Sequence, residues 1–312
     1  MLNGVLILNK PRGFTSHDAV SKLRGILKMR RIGHAGTLDP LAEGVLVMLL
    51  GNATRASECA SGADKEYIAA LRLGLTTDTQ DITGEELARR DASGVTRAQV
   101  EEALARFAGG YDQLPPMYSA VQVNGARLYK LARQGMDVAR DTRRVDFSHL
   151  ELLPPQADDG QDEYRIRVCC TKGAYIRTLC HDVGEALGCG ACMTELTRVR
   201  AGSFTLAQAL TFEEVARLRE AGELAPHIVP ADALFSDLPA VVLNAEGVHR
   251  AVNGAPVFPR FLARGAMPEA GALCRVYAEE GSFLLLSRAG RAENDVPALL
   301  CYKLFARKDG EV

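Results

Sequence analysis

The residues best placed to do chemistry lie in the stretch Gly33-His34-Ala35-Gly36-Thr37-Leu38-Asp39-Pro40-Leu41-Ala42-Glu43-Gly44, just ahead of the apolar run Val45 to Leu50. Three glycines, a threonine and an Asp-Pro pair suit neither helix nor strand, so the segment is predicted to be an irregular polar loop feeding a buried strand. Pro40 pushes Asp39 out of the α region, which leaves its carboxylate extended and presented. A carboxylate held this way can assist cleavage beside a sugar, and Asp39 with Glu43 would supply the carboxylate pair of a nucleoside hydrolase or glycosidase. The plainer alternative is a turn in which Asp39 accepts hydrogen bonds from nearby backbone amides. His34 is either a surface residue or a ring that stacks on a base.

Short elements must position this loop. Residues 5 to 8 predict a strand, and Ser16 is expected to cap a helix that carries Val20, Leu23 and Leu27 on one face. Tyr67, Ala69, Leu71 and Leu73 alternate with Ile68, Ala70 and Arg72 as a strand does. Tyr67 is either core or a ring that meets a ligand. Asp81 closes the polar run Thr76 to Asp81, where an Asx-turn is one reading. Thr96 with Gln99 and Thr211 with Glu214 are capping boxes that open helices, the first carrying Val100, Leu104 and Phe107. Gln113 to Ala120 is extended because of its two prolines. Tyr164 to Val168 alternates as a strand, and a helix with Ile176, Leu179 and Val183 follows the turn at 171–173. Arg177 falls in the first turn of that helix, where a cation opposes the helix dipole. Beyond Pro239, short apolar stretches between Gly, Pro and charged turns predict a small β-barrel.

The chain has 312 residues and 47% hydrophobic content, enough for one large domain and a small one. Its net charge of -2 gives no hint of a nucleic-acid partner, yet residues 1–40 hold seven basic side chains against Asp18 and Asp39. That local field can attract phosphates. The N-terminal apolar stretch is too short for a signal peptide, and no segment approaches a membrane span, so a cytoplasmic protein without membrane contact is expected. The eight cysteines are expected to be reduced thiols. A lone CxxC at Cys189 and Cys192, with Cys180 and His181 adjacent to each other, does not make a convincing zinc site, and no metal is expected.

Taken in order, several blocks resemble the TruB-type tRNA pseudouridine synthases. They are the opening Lys10-Pro11-x-Gly13-x-Thr15-Ser16, GHAGTLDPLAEGVL around Asp39, Lys65-x-Tyr67, Thr77-x-Thr79-x-Asp81, PPMYSA running on to Gly135, Lys172-Gly173-x-Tyr175-Ile176-Arg177, and Glu195 to Phe204. The resemblance implies an α+β fold: a mixed, mostly antiparallel sheet with flanking helices, plus a small C-terminal barrel of the PUA kind that binds RNA. It implies a catalytic domain over 1–237, with an RNA-gripping arm at about 118–150, and a second domain over 238–312.

The implied reaction is isomerisation of a uridine in the T-loop of tRNA, position 55 in tRNA numbering, to pseudouridine, with the target base flipped out. Asp39 is then the catalytic carboxylate, paired with and kept ionised by Arg177. Tyr67 stacks on the base and is a candidate for proton transfer, and Leu196 lines its pocket. His34, Asp81, Lys130, Tyr175, Lys10 and Arg143 fall in segments that meet the RNA, and Arg140 and Arg144 add positive charge to the arm. Cys192 and Thr197 stand where His and Arg are more usual, so no basic contact is assigned to Thr197. No cofactor and no obligatory protein partner are implied, and a monomer is expected. The rival readings are an RNA-binding or tRNA-folding factor in which catalysis is secondary, and a guide-RNA-dependent relative acting on ribosomal RNA.

Overall fold

The computed structural model describes residues 2–306, apart from 61, 124, 158 and 161. The last positions of the predicted C-terminal domain, 307–312, lie outside the described residues. In chain order the elements around the site are β1 (Gly4–Lys10), α1 (Ser16–Leu27), β2 (Ile32–Ala35), β3 (Glu43–Leu50), β4 (Lys65–Leu73), α2 (Arg97–Ala105), β5 (Phe147–Leu152), β6 (Glu163–Cys170), α3 (Ile176–Ala186), β7 (Ala191–Ala201) and α4 (Phe212–Ala221).

The main sheet runs β1-β3-β7-β4-β6-β5, with β2 also paired to β3. Every pairing along it is antiparallel except β3 with β7, where Thr197 faces Glu43 and Arg198 faces Gly44 in parallel register. Strand β3 explains why the sheet is covered on both sides. Its run of consecutive apolar residues splits by pleat: Leu46, Met48 and Leu50 pack with Leu6, Leu8 and the Val20, Leu23 and Leu27 face of α1. Val45, Val47 and Leu49 pack on the opposite side with Val5, Ile7 and Phe204.

Three local expectations differ from the structure. Ser16 does not cap α1. Thr15 does, with extended backbone angles and a hydroxyl that accepts the Asp18 N–H while the Asp18 carboxylate accepts the Thr15 N–H. The box needs an acidic or amide side chain three residues on, and only Thr15 has one. The segment from Gly33 is also not a loop from its first residue. Ile32–Ala35 is a strand, with Ile32 opposite Leu50 and Ala35 opposite Val47, so only residues 36–42 are irregular. Four residues with a glycine among them are too short for alternation to show. Phe107 lies just beyond the end of α2, where it packs edge-on to Tyr111. The two capping boxes form as predicted, at Thr96 with Gln99 and at Thr211 with Glu214.

The C-terminal region is strand-rich: β8 (Ala240–Leu243), α5 (Ala245–Val252), β9 (Leu262–Arg264), β10 (Leu273–Ala278), β11 (Phe283–Arg291) and β12 (Pro297–Leu304), in the order β9-β8-β10-β11-β12. Val257 exchanges both backbone hydrogen bonds with Leu299 of β12, and the chain then turns into β9 at the other edge. That bridge joins the two edges and gives the barrel-like closure. Phe235, Phe283 and Phe305 form an aromatic cluster with Ala56 and Leu286, and the Arg55 guanidinium donates to the Leu304 carbonyl at 2.9 Å, so this region is docked on the segment after β3.

Gly44, at the start of β3, has φ +95°, and a Cβ there would stand 2.3 Å from the Arg198 carbonyl oxygen. Gly13 also has positive φ but has nothing near its missing Cβ. Gly44→Ala is therefore expected to destabilise the fold by more than the ~1–2 kcal/mol of left-handed strain alone, and Gly13→Ala by about that strain only. Urea unfolding of the two variants measures the difference.

Candidate active site

The loop carrying Asp39 is fastened on both sides of that residue. The Ser16 hydroxyl accepts the Leu38 N–H at 2.9 Å and donates to the Leu38 carbonyl at 3.1 Å, and the Gly13 N–H donates to the Pro40 carbonyl at 2.8 Å. Beneath the loop lies Arg198, buried at 1% exposure, whose guanidinium donates to the carbonyls of Val45 at 2.7 Å, Gly36 at 3.0 Å and Thr37 at 3.4 Å. A planar fork of donors suits this convergence of carbonyls, which a lysine could not match. From sequence, Ser16 is marked only as a helix cap, and Arg198 has no role of its own. Arg198 does leave a signal, because two positions after Leu196 it shares the inward side of β7, and a charged residue there requires partners.

Arg177 meets Asp39 from the opposite wall. Its Nε donates to Asp39 Oδ2 at 2.8 Å, its Nη1 to the Thr79 carbonyl at 2.8 Å and its Nη2 to the Tyr118 carbonyl at 2.9 Å. The Arg177 side chain is 5% exposed and that of Asp39 38%. The pair is therefore closed on the cation's side and open on the carboxylate's. Among the described residues no hydrogen bond reaches Asp39 Oδ1. Asp81 lies behind, with Oδ2 3.9 Å from Arg177 Nε. Its Oδ1 accepts the Thr83 N–H at 3.0 Å and the Thr79 and Thr83 hydroxyls, so it forms an Asx-turn and faces the guanidinium as well.

Tyr67 and Leu196 project from neighbouring strands β4 and β7, two residues apart in register, and both are nearly covered. Burial pushes the Tyr67 phenol above its ordinary value against the pull of the Arg198 guanidinium, so the ring keeps its proton at neutral pH. Lys10 is buried beside the loop and donates to the carbonyls of Phe14 at 2.7 Å and Pro11 at 3.0 Å. Burial pulls its ammonium down to about 8, although the Asp39 and Glu43 carboxylates oppose the shift. With both donations made to its own chain, Lys10 braces the turn. Tyr175 precedes α3, its phenol raised by burial and influenced by Asp39, Arg177 and Arg143.

The structure thus sets Arg177 and Asp81 beside Asp39, brings Lys10, Tyr67 and Tyr175 within reach of its charge, and places Leu196 beside Tyr67. Arg143 is exposed on a short strand opposite Gln113, at the edge of the cluster. Lys130 is exposed on the short helix Leu128–Ala132, and among the described residues no hydrogen bond or ion pair links it to Asp39. His34 is half-buried on β2, near enough to Arg198 to feel its charge. Among the described residues no group of three or more His, Cys, Asp or Glu side chains is arranged to hold a metal ion.

Asp39 is thus held through one oxygen by a buried arginine and keeps its partly exposed side toward solvent, near a tyrosine and a leucine from adjacent strands. Residues 24–176 match the model described as TruB family pseudouridylate synthase (N terminal domain), and residues 177–236 match tRNA pseudouridylate synthase B C-terminal domain. The chain belongs to the TruB family of pseudouridine synthases. It is 43% identical over 259 residues to tRNA pseudouridine synthase B of Lactiplantibacillus plantarum, an alignment covering 82% of this chain and 84% of the relative. It is 42% identical over 292 residues to the protein of the same name from Ralstonia nicotianae, covering 91% and 92%. Among solved structures, a Cbf5-Nop10-Gar1 complex superposes with a TM-score of 0.76 at 27% identity, covering 98% of this chain and 86% of that one.

His34 offers a test by linkage. Burial, with Arg198 and His17 nearby, holds its imidazole below the ordinary 6.5, and its Nδ1 is buried without a hydrogen-bond partner among the described residues. A histidine whose pKa falls on folding contributes stability above its unfolded value and loses it as pH drops through that value. Wild-type protein is expected to lose more stability between about pH 7.5 and about pH 5.5 than His34→Gln does, read by denaturant unfolding at both pH values.

Proposed function

We propose that the protein isomerises the uridine at position 55 of the tRNA T-loop to pseudouridine, with Asp39 as the catalytic carboxylate. The observation that carries this assignment is the Asp39–Arg177 pair at 2.8 Å, closed behind and open in front. The reaction breaks the base's N-glycosidic bond, turns the base while it stays bound, and rejoins it through carbon. Positive character builds on the ribose as the bond breaks, and a carboxylate aimed at the sugar stabilises it. The open oxygen, Oδ1, is the one that meets the pentose, while Oδ2 stays with Arg177. Tyr67 and Leu196 hold the detached base between a flat face and an apolar one. A protonated phenol serves there as a wall and a hydrogen-bond donor.

The target is stacked in a folded loop and is flipped out at a cost of a few kcal/mol. Residues 1–237 act as the catalytic domain, and the arm at about 118–150, with Lys130 and Arg143 exposed on it, grips the RNA backbone. His34 stacks on or displaces a neighbouring base, and residues 238–312 bind RNA. The enzyme works in the cytoplasm as a monomer without a protein partner or cofactor. No helix among the described residues is long and apolar enough to cross a membrane.

The structural likeness to Cbf5 complexes favours a second reading, a guide-dependent enzyme acting on ribosomal RNA. The higher identity to the bacterial tRNA enzymes supports the first. An assay of the isolated chain on unmodified tRNA, without guide RNA, separates them, because only the first predicts pseudouridine. In the same assay Asp39→Asn is expected to reduce the single-turnover rate by at least about 10³-fold while tRNA affinity stays near wild type. Product at the wild-type rate would remove Asp39 from the chemistry.

A further inference from the structure

Helix α3 brings Arg177 to Asp39, yet its N-terminus lacks a cap of its own. Tyr175 occupies the cap position and makes no side-chain capping bond, and the first turn contains no acidic residue. A cation in that turn opposes the dipole, so something else must hold the backbone in place. The holder is Gln113, buried at 1% exposure at the end of the short strand Tyr111–Gln113.

Its side-chain amide grips Tyr175 at both backbone groups: Oε1 accepts the Tyr175 N–H at 2.8 Å, and Nε2 donates to the Tyr175 carbonyl at 3.0 Å. The same Nε2 donates to the Tyr111 hydroxyl at 2.9 Å, and that hydroxyl donates to Asp182 Oδ2 at 2.6 Å. Asp182 belongs to α3. One short strand therefore fastens the helix at its cap and again at its second turn, with Arg177 between the two points. A few residues further along the same segment, Tyr118 supplies a carbonyl that accepts from Arg177 Nη2. Strand and helix together determine where the guanidinium sits and one of the groups it binds.

We infer that Gln113 is a positioning residue for the isomerisation: it sets the Arg177 guanidinium, and through it the Asp39 carboxylate, without touching RNA. The inference rests on the reading of Asp39 and Arg177 given above. Misplacing a reacting group by about an ångström costs on the order of 10²-fold in rate, whereas a residue this deeply buried contributes no surface to the RNA.

The test compares wild type with Gln113→Leu, Tyr111→Phe and Asp39→Asn by single-turnover pseudouridine formation, tRNA binding and thermal melting of the full chain. Gln113→Leu keeps much of the volume and loses every hydrogen bond. Its rate is expected to fall about 10²-fold, with the tRNA Kd within about threefold of wild type. Tyr111→Phe keeps the ring against Phe107 and Phe147 and the grip of Gln113 on Tyr175, and loses the hydroxyl that joins Gln113 Nε2 to Asp182. It is expected to slow the reaction by about five- to thirtyfold, the worth of one to two ordinary hydrogen bonds, again at unchanged affinity.

A wild-type rate in Gln113→Leu overturns the proposal, as does a loss of affinity in step with the rate. Should Gln113→Leu fail to fold, Tyr111→Phe decides: slower chemistry at full affinity supports the proposal, and wild-type chemistry overturns it. Asp39→Asn keeps the two questions apart. Turnover in that variant removes the catalytic reading itself, whereas an inactive Asp39→Asn beside a fully active Gln113→Leu removes only the role of Gln113.

Discussion

A guanidinium withdrawn from water is costly, and much of this molecule answers the demand made by Arg177. Removing a charge of this kind from solvent costs several kcal/mol after relaxation, unless its donors are taken up by well-placed acceptors. Here the donors are distributed over Asp39, the carbonyl of Thr79 and the carbonyl of Tyr118, with the Asp81 carboxylate 3.9 Å away. Each acceptor comes from a different stretch of chain, so the arginine ties together the Asp39 loop, the polar turn before Asp81, the start of the arm and α3. Without it, these stretches would lose the partner that they share.

The sheet supplies the second fastening. Because β3 and β7 run parallel where Gly44 meets Arg198, the strand leaving the Asp39 loop lies directly against the strand that carries the second buried arginine. Arg198 takes carbonyls from both ends of the loop, Gly36 and Thr37 on the way in and Val45 on the way out. The absence of a side chain at Gly44 is what permits that approach. Two arginines thus divide the work: Arg198 fixes the backbone of the loop, and Arg177 fixes the carboxylate it presents. A carboxylate restrained at both levels loses little further freedom on meeting a substrate, which is the condition for preorganised electrostatic catalysis.

How much of this could be read from residues alone differs from feature to feature. Strands β3 and β4 and the helices opened by Thr96 and Thr211 were legible because their signals are local: a run of apolar residues, alternation, or two polar residues three apart. The cap of α1 lies one residue before Ser16, where Thr15 has the acidic partner three positions on, Asp18, that the rule requires. The pairing of Asp39 with Arg177 spans 138 positions, and no local pattern encodes it; only the likeness to a family suggested it. Ser16, Arg198 and Gln113 were missed as parts of the site for a related reason. Each acts on the backbone of a distant residue, Leu38, Gly36 or Tyr175, and a backbone acceptor leaves no mark on the identity of the residue that provides it.

The uneven exposure of the ion pair carries the argument from structure to chemistry. At 38% exposure Asp39 still meets water, whereas Arg177 at 5% hardly does. In solvent the interaction is weakened by the surrounding dielectric, and it strengthens when water is expelled. On the proposed reading, an extruded nucleotide entering between Tyr67 and Leu196 would cover the one face of the pair that is still wet. The same event that brings the ribose to Oδ1 would then deepen the hold of Arg177 on Oδ2, so that the carboxylate is most firmly aimed when its substrate is present. A pair buried on both sides would leave no room for the sugar, and one exposed on both sides would gain little from its arrival. The geometry lies between these limits because Thr79, Tyr118 and Asp81 enclose the arginine, while the Asp39 side chain stays partly exposed and no described residue hydrogen-bonds its second oxygen.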